Sequence, residues 1–226
     1  MRNRYYVSLL IAFLILISPS HDVFAVSKVA RSLNVLEFFG GGSIPTGTRD
    51  GLPDYEFIIN NRSQDVDAKD IYNNSFHFGI DYGQLRSAHW LVSLGFRYTK
   101  HNVKDTIPLF QDTVVIVGGN PSYNQFDLDF NLNYFLTDLT KTSFSPYAGL
   151  GIEGGILAIS DDINETDYTA NIGLRLNFGA DLRIWDSEDG RSLVALSSVN
   201  SYDFYGSNDR PKYLNVGGAI KYYFSP

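Results

Sequence analysis

The stretch from Gln125 to Tyr134 leaves a chain few ways to fold. Apolar side chains stand at Phe126, Leu128, Phe130, Leu132 and Tyr134, and the positions between them hold Asp127, Asp129, Asn131 and Asn133. Successive side chains of an extended chain point to opposite faces, so this is a strand with one apolar and one strongly polar face. A helix would smear both sets around its axis. Either the apolar face looks inward, giving a soluble sandwich or barrel, or it looks outward and the solvent on that side is lipid.

The same two-residue period recurs seven more times. Leu36, Phe38, Gly40, Gly42 and Ile44 alternate with Val35, Glu37, Phe39, Gly41 and Ser43; Phe76, Phe78, Ile80 and Tyr82 with Ser75, His77, Gly79 and Asp81. Trp90 to Tyr98 and Ala148 to Ile156 repeat the pattern, and Ile172 to Ile184 does so over seven apolar positions. Leu193 to Phe204 reads as a strand whose small residues leave the two faces ambiguous, and Leu214 to Phe224 closes the series. The expectation is an all-β chain of eight antiparallel strands. The connections Thr48–Asn73 and His101–Tyr123 are long, whereas Gln84–Ala88, Thr137–Ser143 and Asp186–Gly190 are short. Every second connection of an up-and-down barrel lies at one rim, so one rim is elaborated and the other trimmed.

Two arguments turn the apolar face outward. An eight-stranded barrel has a lumen only just wide enough for its inward side chains, and some forty large apolar groups would crowd it. The polar face instead interleaves Gly79, Gly95, Gly149, Gly151, Gly155, Gly173, Gly179 and Gly217 with a few long charges, which is what a narrow interior wants. Aromatic rings also gather near strand ends on the apolar face, at Tyr82, Trp90, Tyr98, Tyr134, Tyr222 and Phe224, where an amphipathic ring meets a membrane interface. A closed sheet in lipid also satisfies every backbone group without an open edge.

Composition removes several classes of function. Arg2 and Arg4, the apolar run Val7 to Ile17 and the small residues near Ala25 read as a secretory signal peptide over residues 1–25, with the barrel expected over 26–226. Without Arg2, Arg4 and Asp22, the 18 basic and 25 acidic residues fall to 16 and 24, a net charge of −8. No nucleic-acid partner is expected, since that would need a basic stripe. The absence of cysteine removes disulfides, thiolate metal sites and thiol nucleophiles.

With its signal segment, alternating strands, short-turn and long-loop rims and aromatic last strand Ala219 to Phe224, the chain resembles the small eight-stranded outer-membrane barrels of Gram-negative bacteria, of the OmpA transmembrane-domain and OmpX/Ail type. The likeness is one of pattern over the whole mature chain. It implies an eight-stranded antiparallel up-and-down transmembrane β-barrel in the bacterial outer membrane, with outer-membrane lipid as its surroundings. It also implies that the barrel assembly machinery reads the last strand, although here Ser225 and Pro226 follow Phe224.

The polar face, taken as the lumen, holds Glu37, His77, Asp81, Arg97, Asp127, Asp129, Glu153, Arg175, Asp181, Arg183 and Lys221. Buried charges need partners, so these are expected to form a plugging ion-pair network; the alternative is a small porin-like channel. A lipid A-modifying enzyme resembling PagL or PagP would need a histidine beside a serine near the rim, for which Ser75 and His77 are the nearest pair. No catalytic, cofactor or metal site is expected: Asp65, Asp67 and Asp70 lack the glycine and glutamate that complete a calcium loop. The β-branched run Thr113 to Val117 within 101–123 suggests a protruding hairpin able to add a strand from an extracellular protein partner, or one that packs over the mouth. The expected role is structural or adhesion-like at the cell surface.

Overall fold

The computed structural model describes residues 32–49, 51–52, 55–56, 58–59, 62–63, 66–108, 114–116, 122–160, 167–205 and 212–225; the expected signal peptide lies outside them. Eight long strands form a closed antiparallel barrel: β1 (Leu33–Thr46), β2 (Ser75–Leu85), β3 (Trp90–Asn102), β4 (Ser122–Phe135), β5 (Phe144–Ser160), β6 (Asp167–Asp186), β7 (Ser192–Tyr205) and β8 (Lys212–Phe224). Each strand pairs with the next in sequence, and β1 pairs with β8. No described helix is long and apolar enough to cross a membrane.

The period of two sets the facing. Leu94, Leu128, Leu150 and Leu174 are each at least 60% exposed on the outside, while Asp127, Asp129, Glu153 and Arg175 are each 1% exposed within. A soluble chain does not present a continuous apolar belt around its girth, whereas a membrane barrel must. Two strands outrun their sequence signal, β5 beginning at Phe144 and β6 at Asp167. Beyond the apolar band both faces meet water, so alternation fades before the hydrogen-bonded ladder does. The ambiguous seventh strand resolves with Ser197, Ser201 and Asp203 inward and Leu196, Ser198 and Phe204 outward.

The seam between β1 and β8 is lined by glycine, with Gly40 opposite Gly218 and Gly41 opposite Gly217. A Cβ on Gly41 would stand 2.1 Å from the Val216 carbonyl oxygen and 2.5 Å from the Gly217 Cα. Backbone cannot step aside as a side chain can, so Gly41→Ala is expected to destabilise the closed barrel by about 1–3 kcal/mol. The loss should appear as a lower temperature at which the compact gel species converts to the unfolded one.

Two apolar clusters fill opposite ends of the interior. At the short-turn end, Leu33, Val35, Leu85, Leu91, Phe135, Leu139, Tyr147, Leu193, Ala195 and Tyr223 pack together. At the long-loop end, the first long connection folds a single helical turn, Ala68–Ile71, onto the mouth. There Val66, Ala68, Ile71 and Tyr72 join Val103, Ile107, Tyr123 and Leu157. Backbone bonds fix this cap: Ala68 N–H donates to Gly47 O, Lys104 N–H to Ile71 O and Asn73 N–H to Asn102 O, at 2.8, 2.8 and 2.9 Å. Thr106–Pro108 pairs with Val114–Ile116 as a small separate sheet rather than as a continuation of β3 and β4. Ile107 is buried in the mouth, so this hairpin is tied down at its base.

Candidate functional site in the barrel lumen

Between the apolar clusters the lumen is polar, and its layout follows from strand register. Long inward groups sit across from glycine: Asp81 and Asp129 flank Gly95, Arg97 faces Gly79, Asp127 faces Gly155 and Glu153 faces Gly173. A Cβ on Gly95 would lie 1.7 Å from Asp81 Oδ1, so the missing side chain is the space that the carboxylate occupies.

Arg175 is the centre of one group. Its Nε donates to Asp203 Oδ1 at 2.7 Å, its Nη1 meets Asp129 and its Nη2 meets Glu153. Arg97 lies 3.3 Å from the other Asp203 oxygen and 3.8 Å from Asp129, with its guanidinium 5.3 Å from the centre of the Phe39 ring. Asn215 donates to Asp203 Oδ2 at 2.5 Å and to Ser201 Oγ at 3.1 Å. Ser43 bonds the Asn215 oxygen and lies 3.1 Å from His77 Nδ1. The planar guanidinium spreads five donors over three nitrogens, so Arg175 meets three carboxylates lying on different sides of it.

A second group lies nearer the short turns. Lys221 Nζ is 3.0 Å from Asp181 and 3.6 Å from Glu37, and sits 4.5 Å from the centre of the Tyr147 ring. Asp181 also accepts bonds from Ser197 at 2.7 Å and Tyr223 at 2.5 Å. Toward the long-loop end, Asp127 accepts from Gln125 at 2.5 Å, and Gln125 also donates to the Tyr205 hydroxyl at 2.6 Å. Asp81 accepts from Ser93 and Asn131, each at 3.3 Å, and forms no ion pair with a described residue.

Arg183 does not join these groups. The bulge that leaves Ile184 and Trp185 both exposed comes after it; Arg183 itself keeps the inward parity of β6, opposite the buried Ala195, but stands at the short-turn rim. There it pairs with Asp186 at 3.4 Å and donates to the Thr140 carbonyl at 3.0 Å. The Ser75 and His77 pair also separates, because partners come from neighbouring strands rather than from two residues along one strand. Ser75 bonds His101 Nδ1 at 2.5 Å, and His101 stacks on Tyr213 at 4.0 Å. His89 is outside the lumen, its Nδ1 2.8 Å from the Phe135 carbonyl oxygen.

The residue that sequence reading missed is Asp203, which both arginines share. Its signal was present: Tyr202 and Phe204 flank it, and placing those rings outward forces Asp203 inward. Among the described residues no group of three or more His, Asp or Glu side chains is arranged to hold a metal ion.

Fold and facing together define an eight-stranded transmembrane β-barrel of the small outer-membrane kind. It shares that fold with Neisserial surface protein A (NspA) at TM-score 0.50 and 11% identity, over 84% of this chain and 95% of the other. OprG of Pseudomonas aeruginosa matches at TM-score 0.50 and 13% identity, over 85% and 96%. Ail of Yersinia pestis, solved with the heparin analogue sucrose octasulfate, matches at TM-score 0.43 and 12% identity, over 86% and 97%. No family model matches the sequence, and no curated protein matches it.

Proposed function

We propose that this chain is an integral outer-membrane protein with a plugged lumen, acting through the surface it presents beyond the outer leaflet in a structural or adhesion-like role. The observation that carries this reading is the filling of the interior. An apolar cluster occupies each end, and between them Arg97, Arg175 and Lys221 are bonded to carboxylates from several strands. A conducted ion would have to break those bonds and pass two dry constrictions, in a barrel size whose lumen side chains alone can fill. The short-turn rim then faces the periplasm and the longer connections face outward, as in barrels of this kind. The hairpin joining β3 to β4 is the segment of the outer rim best suited to meet a protein partner, since among the described residues its two short strands pair only with each other.

Planar-bilayer recording of the purified, folded protein tests the plug. The expected trace shows no large, stable openings, and sustained openings of uniform size would establish the channel reading instead. A lipid A-modifying activity finds less support: Ser75 and His101 are bonded, but His101 is buried and stacked on Tyr213 inside the mouth, away from the lipid-facing surface.

A further inference from the structure

We propose that the lipid-facing surface of β2, β3 and β4 near the outer rim is a binding site for an anionic, phosphate-bearing lipid of the outer leaflet. This rests on the reading that the long connections face outward, and it names the lipid chemistry one sector of the barrel selects.

The site is a ridge of rings topped by a cation. Register places Phe76, Lys100 and Asn124 side by side in the row nearest the outer rim, Phe78, Tyr98 and Phe126 in the row below, and Ile80, Phe96 and Leu128 in the row below that. Every one of these side chains lies on the outward face of its strand. The rings touch in sequence: Phe76 to Phe78 at 6.4 Å, Phe78 to Tyr98 at 5.2 Å, Tyr98 to Phe126 at 5.1 Å and Phe126 to Phe96 at 6.3 Å between centroids. Phe76 and Phe78 are 51% and 52% exposed, so their faces are open to whatever lies beside the barrel.

Above the rings the chemistry changes within one pleat. Lys100 is two residues past Tyr98, about 7 Å further toward the rim, where hydrocarbon gives way to headgroups. Two lysines of the nearby connections are engaged: Lys69 pairs with Asp67 at 3.0 Å, and Lys104 donates to the Lys69 carbonyl at 2.6 Å. Lys100 forms no ion pair with a described residue. Beside it, the Tyr98 hydroxyl donates to Asn124 Oδ1 at 2.7 Å, which fixes that amide and leaves its NH2 to point elsewhere. An ammonium and an amide NH2 at headgroup depth both donate, and the acceptor they suit is a phosphate oxygen. Flat rings below offer dispersion contact to acyl chains. The occupant therefore carries phosphate at one end and hydrocarbon at the other.

The adjoining sector of the barrel supplies a contrast. Leu150, Ile152, Leu174 and Leu176 on β5 and β6 make an aliphatic surface with Ala158 and Tyr168 at its outer end. Lys212, at the outer end of β8, is a cation at similar height without the five-ring ridge beneath it, and serves as the matched control.

The test is native mass spectrometry of the mature chain folded in detergent micelles, with diphosphorylated lipid A and phosphatidylethanolamine as probes. Wild type is expected to retain one lipid A in preference to phosphatidylethanolamine. Lys100→Gln should lower lipid A occupancy about fivefold, as one lost surface cation implies, with phosphatidylethanolamine unchanged. Phe78→Leu with Phe126→Leu should weaken lipid A retention while Lys212→Gln leaves it intact. Equal losses from Lys100→Gln and Lys212→Gln would reduce the effect to diffuse surface charge and overturn the site. So would unchanged binding by Lys100→Gln, or equal binding of lipid A stripped of its phosphates. Heat-modifiable migration of each sample reports the barrel separately: a wild-type chain that never folds in micelles would instead overturn the membrane reading on which the site depends.

Discussion

Leu128→Arg is expected to lower the free energy of unfolding from lipid vesicles by about 2–4 kcal/mol, the cost of an arginine facing hydrocarbon near mid-membrane. Leu128 is 62% exposed and has Phe96 and Gly154 as its cross-strand neighbours, so the substitution breaks no packed core and strands no partner. In a water-soluble barrel the same exposed change would fall within about 0.5 kcal/mol of wild type. The size of the effect is therefore a direct reading of what surrounds the barrel. The same substitution at Tyr134, by the short-turn rim, should cost only about 0–1 kcal/mol, because there the guanidinium reaches the interface. Urea titration followed by tryptophan fluorescence measures both, and equal small losses at the two positions would rule out lipid contact at Leu128.

Removal of Arg175 should cost still more. Arg175→Met keeps the side-chain volume roughly constant but leaves Asp129, Glu153 and Asp203 without the cation they share. Breaking a buried charge group by removing one partner costs about 3–5 kcal/mol. Arg175→Lys is expected to recover only part of this, since an ammonium gathers its donors on one atom and does not span the three carboxylates that Nε, Nη1 and Nη2 meet separately. Replacing the acids as well, with Asp129→Asn, Glu153→Gln and Asp203→Asn on the Met background, should restore most of the lost stability. The shortfall from additivity across that set measures the coupling of the group. Equilibrium unfolding of the single and combined variants supplies the numbers.

The architecture was legible in the sequence because a membrane barrel writes it there in the simplest code a chain has. Phe126 to Tyr134 alternates without a fault, and the glycines of the opposite face fall where narrow space demands them. The seventh strand was harder for a physical reason. Ser197, Ser198, Val199 and Asn200 differ too little in polarity to vote for a face, so parity has to be taken from Tyr202 and Phe204 at its far end. Arg183 keeps the inward parity of β6 but sits at its end, where Asp186 and the Thr140 carbonyl are nearer than the central acids; the bulge just beyond it is one extra residue with no compositional mark. Ion-pair partners were not legible at all. Which acid meets which base depends on the stagger of the strands: Arg175 lies directly across from Asp203 in the β6–β7 ladder, and Arg97 of β3 reaches Asp203 of β7 only because the barrel closes. The cap at the outer mouth was hidden in a connection whose polar composition reads as loop, although Val66, Ala68, Ile71 and Tyr72 fall close together at its end.

The glycine-lined seam where β1 meets β8 has a kinetic meaning. Its two strands are the first and last of the barrel, so the pairing that closes the ring is also the one of greatest separation along the chain. Until β8 arrives, the seven strands before it form a curved sheet with two raw edges, and every lumen group that looks to Lys221, Tyr223 or Asn215 waits unanswered. Sealing is thus late and abrupt, and slow as long-range pairings are. Its converse is durability: once shut, the ring has no fraying end from which to unravel, and leaving the folded state means parting a whole seam at once.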